Sequence, residues 1–345
     1  MRLGLSMGPL HIQGDYSLES NSVMEVIPLT NAGKISVIIS EVYAEGQVGL
    51  TLGEKSLQAT NFDMTYTPKN VIITVTYETN EGPAVSQVSR EALDKTLVEK
   101  FREDLWYKLN LILQKELNYL LEFSPLARLL PDENLLKEFR NLTRGMTVIA
   151  NKYIDDILVL AREHITQNNL EQVPVSNFGT GFSKKILFIT WHGNFTAEKG
   201  WARDLATITR TSDMTLSYDK GTLSVFGSLG LRDLKVGFDQ YFAKFMNIGP
   251  SGTLRATTGY NSVFIRAAIQ LGINSTTSLE NLRVDNIDEI DVKVTGLGIL
   301  NWLTSKIVTW VLGFYNESIR KVVRQQLLNP LYHVLNDVNP NEYFM

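Results

Sequence analysis

Hydrophobic and polar residues alternate through residues 16–77. Ile35, Val37 and Ile39 are interleaved with Ser36 and Ile38, and Val48, Leu50 and Leu52 with Gly49 and Thr51. Successive side chains of a strand point to opposite faces, so this period of two predicts strands. Turn-forming residues punctuate the stretch at positions 31–33, 53–55 and 80–83. From residue 86 to residue 123 the period changes. Leu93, Leu97, Phe101, Leu105, Leu109, Ile112, Leu113, Leu117, Leu120 and Leu121 fall on one helical stripe, with Glu99, Arg102, Glu103 and Lys108 around the rest of the wheel. One long amphipathic helix is predicted, closed by Ser124-Pro125.

Residues 126–141, with Pro131, Asp132 and Glu133, read as a short helical or irregular linker. A second helix is expected over 146–167, with Ile149, Tyr153, Ile154, Ile157, Leu160 and Ala161 on its apolar side. Strand signals return over 184–294, joined by turns at 219–221 and 249–252 that are too short for crossover helices, so the sheet should be antiparallel. A last long helix is expected over 301–338, kinked or split by Pro330.

Strands then a long helix, followed by helix, strands and a long helix, suggests one plan used twice. Gly33-Lys-Ile-Ser-Val37 matches Gly221-Thr-Leu-Ser-Val225, and a Val-Gly pair follows at the same spacing, Val48-Gly49 and Val236-Gly237. The expectation is an α+β chain of tandem domains. Residues 1–125 would form a first copy shortened at its start, 126–145 a linker and 146–345 a complete second copy. In each, a highly curved antiparallel sheet would wrap a long helix.

Composition narrows the function. A formal charge of -4 gives no global positive field for nucleic acid, and a chain without cysteine has neither disulfides nor thiolate metal sites. The first ten residues are too soon polar for a secretory leader, and the most apolar stretch, 307–315, is too short for a bilayer span. Gly179-Thr-Gly181 and Gly296-Leu-Gly298 lack the third glycine of a dinucleotide loop, and Gly227-Ser-Leu-Gly230 misses the nucleophile-elbow spacing. His11, His164, His192 and His333 are dispersed, so no metal site is expected. The carboxylates Asp155-Asp156 and Asp285, Asp288, Glu289 and Asp291 read as solvated faces. Glycosylation triplets begin at Asn141, Asn194, Asn274 and Asn316, of which Asn274, in an expected turn, is the best acceptor.

Residues 150–338 resemble the group 7 mite allergens. The resemblance lies in Ala150-Asn-Lys-Tyr-Ile-Asp-Asp-Ile157, Val173-Pro174, the strand to Gly200 and Leu205, and Arg210-Thr-Ser-Asp213 leading into Met214-Thr-Leu-Ser-Tyr218. It continues through the strand from Gly221 to a terminal helix with Arg320, Leu327 and Pro330. Residues 14–123 resemble the later part of Takeout and juvenile-hormone-binding proteins, through Tyr16-Ser-Leu18, Ile27-Pro28-Leu29 and the Gly33 strand. Both groups belong to the tubular lipid-binding superfamily, so the resemblance implies an internal apolar ligand, an extracellular location and no catalysis. The chain departs from the pattern in its missing leader, its lack of the Takeout cysteine pair and its shortened first copy.

The expected function is non-enzymatic carriage of a lipid or other apolar small molecule, such as a fatty acid, hormone-like or isoprenoid ligand, without cofactor, metal or catalytic residues. The cavity wall is expected from Leu223, Val225, Leu229, Leu231, Val236, Phe238, Val263 and Ile265 of the sheet, and from Leu303, Ile307, Trp310 and Phe314 of the helix. No nucleic acid and no transmembrane segment are expected. Membrane contact would be transient, and the first domain could pair with another copy through an open sheet edge. A rival expectation is an innate-immune or interaction protein that uses Trp191, Trp201, Phe242 and Phe245 as an exposed apolar patch for bacterial lipids or a protein partner.

Overall fold

Two strands far longer than the usual five or six residues dominate the first part of the chain. The computed structural model describes residues 1–17, 32–52, 56–79, 82–88, 95–122, 133–186, 189–219, 222–246, 248–314 and 318–345. Within them β1 (Arg2–Met7) and β2 (Leu10–Ser17) lie in succession along one edge of β3 (Ala32–Leu52), and β4 (Leu57–Thr79) lies along the other. Asn61 and Asn70 bend β4 with φ of 49° each, a left-handed conformation that asparagine tolerates. β5 (Gly82–Val88) closes this antiparallel sheet against β4, with Ile73 opposite Val88 and Thr79 opposite Gly82.

The helix expected from residue 86 therefore begins later. Pro83-Ala-Val-Ser-Gln-Val88 carries β-branched residues and completes a ladder, and α1 runs over Lys95–Glu122. Its apolar stripe is real but narrower than the sequence implied. Leu109 and Leu113 are buried, whereas Ile112 and Leu120 are exposed; the side chains of Leu93, Leu97 and Phe101 lie outside the described residues.

Residues 133–145 of the expected linker join the second helix in one 35-residue helix, α2 (Glu133–Gln167), and residues 126–132 lie outside the described residues. Glu133, Leu135, Leu136, Lys137 and Glu138 are strong helix formers, and α2 carries Gly145 internally despite its cost of about 1 kcal/mol relative to alanine. The strands after it are β6 (Gln172–Val175), β7 (Phe178–Ile186), β8 (Ile189–Arg203), β9 (Ile208–Arg210), β10 (Thr215–Asp219), β11 (Thr222–Leu231), β12 (Lys235–Phe245), β13 (Ser251–Gln270) and β14 (Thr276–Val294). Every pairing whose register is described is antiparallel, as expected. β13 is the spine. It pairs with β12 over residues 251–257, with β11 over 263–269 and with β14 along nearly its whole length.

After β14, Gly296 turns the chain with φ of 82°, where a Cβ would come within 2.2 Å of the Ser251 carbonyl oxygen. The Gly296-Leu-Gly298 motif is thus a strand-to-helix turn that needs glycine. A 3-10 turn at Gly298–Leu303 leads into α3 (Thr304–Phe314), then α4 (Arg320–Val334) and the short α5 (Asn341–Phe344). Pro330 does not split the helix. α4 continues through it to Val334, with the proline ring buried, so packing outweighs the one hydrogen bond lost to the Gln326 carbonyl.

The residues form two compact units that interleave along the chain. One comprises Met1–Val48, Phe62–Leu113 and Thr180–Gly193; the other comprises Gly49–Asn61, Gln114–Gly179 and Asn194–Met345. In the first, the buried Tyr66 of β4 donates its hydroxyl to Asn110 of α1 and sets its ring 5.1 Å from that of Trp106, tilted by 40°. In the second, α2 and α4 pack on each other, and α3 and α4 pack on β14.

Gly33 to Val37 falls in β3 and the described residues 222–225 of the second match in β11, but the chain continues differently beyond each. Gly33 to Gly49 runs within a single strand, β3, whereas the same spacing from Gly221 crosses a turn, so Val236-Gly237 lies on β12. The two Val-Gly pairs therefore do not occupy equivalent places.

Candidate functional site: the apolar interior of the second unit

β11, β13 and β14 set their apolar side chains in cross-strand rows. Leu229, Val263 and Val284 form one row; Gly227, Ile265 and Leu282 the next; Val225, Ala267 and Leu279 the third; Leu223, Ile269 and Thr277 the last. Residues directly opposite on an antiparallel ladder share a face, so these rows build one continuous aliphatic surface. Gly227 leaves a gap in it that the Met214 thioether fills, since a Cβ there would lie 2.6 Å from the sulfur. The far row is capped by α2, where the buried Tyr153 hydroxyl meets the Thr277 hydroxyl at 2.5 Å. Burial raises the Tyr153 pKa, with the Thr277 hydrogen bond opposing the shift.

A second, aromatic part of the interior centres on Phe195 of β8. Its ring lies 5.7 Å from Phe178, 5.5 Å from Tyr241 and 5.3 Å from Trp310, and Phe178 lies 5.3 Å from Phe238. Strands β7, β8 and β12 thus meet helix α3 through rings at contact distance. Tyr241 keeps its hydroxyl satisfied by donating to the Thr295 carbonyl, and burial raises its pKa.

Of the residues expected to form the wall, Val225, Leu229, Leu231, Val236, Phe238, Val263, Ile265, Leu303 and Ile307 are buried, and Leu223 and Trp310 partly so. Val225, Leu229, Val263 and Ile265 share the aliphatic surface. Phe238 and Trp310 join the aromatic part, and Leu231 pairs with Ile208 of β9. The Phe314 side chain lies outside the described residues. Sequence reasoning missed Phe195, Phe178 and Tyr241. The signal for Phe195 is the alternation of Gly193, Phe195 and Ala197 with Asn194, Thr196 and Glu198, in a stretch that also holds the Asn194 triplet. Tyr241 was hidden because the register shifts between Phe238 and Tyr241, which changes the parity of inward positions along β12.

The alternative patch does not form as expected. Trp191 and Phe242 are exposed, but Phe245 turns inward against Trp302, at 5.3 Å, and Trp201 is buried with its indole N–H on Asp239. His164 and His333, distant in sequence, stack at 5.2 Å where the last turns of α2 and α4 meet. Among the described residues there is no cluster of three or more metal-ligating side chains and no helix long and apolar enough to cross a membrane.

A family model described as group 7 allergen matches residues 149–335, more than half of the chain. The mite allergen Lep d 7 of Lepidoglyphus destructor is 22% identical over 179 residues, covering 52% of this chain and 81% of that protein. Among solved structures, a lipopolysaccharide binding protein aligns over 57% of this chain at 15% identity with a TM-score of 0.33, and only 39% of that protein is spanned. Takeout 1 of Epiphyas postvittana aligns over 49% of this chain and 81% of its own, at 13% identity and a TM-score of 0.31.

Proposed function

The chain belongs to the group 7 allergen family, and from the geometry of its second unit we propose that it is a non-enzymatic, extracellular carrier of a lipid or other apolar small molecule, with residues 146–345 as the container. The observation that carries this reading is the set of aliphatic rows of β11, β13 and β14, with Met214 filling the gap at Gly227, continued by rings of β7, β8, β12 and α3. An alkyl chain laid along such a surface gains about 0.8 kcal/mol per methylene removed from water, so a dozen carbons supply on the order of 10 kcal/mol before ordering costs. The Tyr153–Thr277 hydroxyl pair offers a polar contact at one end of the aliphatic rows. Leu223, Val225, Leu229, Val263 and Ile265 would line the chain's path, with Phe238, Trp310 and Phe195 beyond them.

Native mass spectrometry of the purified protein, followed by solvent extraction, tests the reading. A bound apolar molecule is expected, as is saturable uptake of a fluorescent fatty acid that Ile265→Trp reduces without unfolding the protein. Protein that is empty as isolated and takes up no fatty acid would refute the carrier role.

A further inference from the structure

One groove on the solvent face of the second sheet carries an excess of positive charge, opposite in sign to that of the whole chain. Val236, Phe238, Leu254 and Ala256 are buried on one face of β12 and β13, so the residues alternating with them belong to the other face. There Lys235 sits opposite Thr257 and Gly237 opposite Arg255, and β14 extends both rows with Asp291 and Lys293. Gly237 leaves room that Trp201 of β8 occupies; a Cβ there would lie 2.4 Å from the Trp201 ring. The indole N–H donates to Asp239 at 2.8 Å, and the Arg203 guanidinium lies 4.0 Å from the ring centre. Lys235, Arg255, Thr257, Asp291 and Lys293, with Trp201, Arg203 and Asp204 beside them, line a groove of about 460 Å³.

Four cations and two carboxylates line this groove, in a chain whose formal charge is -4. Lys235 is paired with Asp204 at 2.9 Å and Lys293 with Asp291 at 3.7 Å. The two guanidiniums are left over. Arg203 is held by the neutral Gln172 amide and the Trp201 face, and the Arg255 guanidinium makes no side-chain hydrogen bond or ion pair among the described residues. A planar guanidinium fork matches the oxygens of a phosphate, and the Thr257 hydroxyl adds a further donor. We propose that this groove binds a phosphate group, carried by a small phosphorylated molecule or by a lipid headgroup. The site lies on the opposite face of the sheet from the apolar interior and does not depend on what that interior holds.

Calorimetric titration of the full chain with inorganic phosphate and glycerol 3-phosphate tests the soluble source. Flotation with phosphatidylcholine vesicles containing phosphatidic acid, against vesicles of phosphatidylcholine alone, tests the lipid source. Arg255→Ser is expected to weaken binding about ten-fold, the loss of a charged hydrogen-bond donor. Arg255→Lys should fall between it and the parent, and Lys321→Ser, on the exposed face of α4, should bind as the parent does. This pattern with glycerol 3-phosphate assigns a soluble ligand; the same pattern with phosphatidic acid vesicles alone assigns a headgroup. Absence of binding to every phosphate probe, or a folded Arg255→Ser protein that binds as tightly as the parent, would overturn the proposal.

Discussion

The side-chain amide of Asn261 pairs with both backbone groups of Leu231, accepting its N–H at 2.7 Å and donating to its carbonyl at 2.6 Å. It does so where β13 passes from β12, its partner up to Thr257, to β11, its partner from Val263. A side chain thereby stands in for a strand neighbour at the seam of the sheet. Asn118 treats Ala59 in the same way, and Asn341 treats Gly272.

Replacing Asn261 by leucine keeps the volume but leaves two backbone groups of Leu231 unpaired in a buried setting. A loss of about 2–3 kcal/mol in urea unfolding is expected, because an orphaned buried polar group costs its desolvation. A change below about half a kcal/mol would mean that water reaches Leu231.

Phe195 is fully buried at the junction of three strands and α3. Phe195→Ala should cost about 3–5 kcal/mol, the range for deleting a core ring and leaving its cavity. Phe242→Ala, on the exposed side of the same sheet, should change stability little. Paired thermal melts distinguish the two.

Gly237→Val should push Trp201 out of its slot. A red shift of tryptophan emission and destabilisation of about 1–3 kcal/mol are expected from the forced rearrangement. Emission unchanged from the parent would show that the ring accommodates the new side chain.

Tyr343 of α5 donates its hydroxyl to Asp156 of α2, and both groups respond. The Asp156 carboxyl is held below its ordinary value, first by Lys152 and then by Tyr343, while the Tyr343 phenol is pushed up to about 12, first by that carboxylate. The phenol's folded value exceeds its unfolded one, so its contribution is fully present below pH of about 10 and is lost as pH rises toward 12. The carboxyl's folded value is depressed, so its contribution is present above the unfolded value and fades as pH falls through the folded one. Ultraviolet titration should show a late-ionising tyrosine component, to which the buried Tyr153 and Tyr241 also contribute, that shrinks by one tyrosine in Tyr343→Phe.

Asn274 lies exposed in the turn between β13 and β14, beside the fully exposed Ile273, whereas Asn141 lies inside α2 and Asn194 inside β8. Expressed with a leader through a secretory pathway, the chain should carry a glycan at Asn274. A mass shift on glycosidase treatment, abolished by Asn274→Gln, checks this; occupancy at Asn141 or Asn194 with Asn274 bare would reverse the ranking.

Local period and family pattern were legible in the sequence. Alternation along 222–231 and 251–270, short turns and the absence of crossover helices determined antiparallel strands, and helical stripes located the long helices. The resemblance of residues 150–338 is borne out by the family match to 149–335. These features are written in neighbouring residues, so they survive without knowledge of partners.

Tertiary structure decided which of those elements meet and where their periods break. Pro83 to Val88 is strand because β4 offers it a ladder, and β12 turns Tyr241 inward because a register shift changes its parity. Asn261, which reads as a turn former, becomes a buried backbone surrogate, and His164 finds His333 across 169 positions of chain (333 minus 164). Each outcome depends on contacts between residues far apart in sequence, whose energies are comparable to or larger than the local preferences they override.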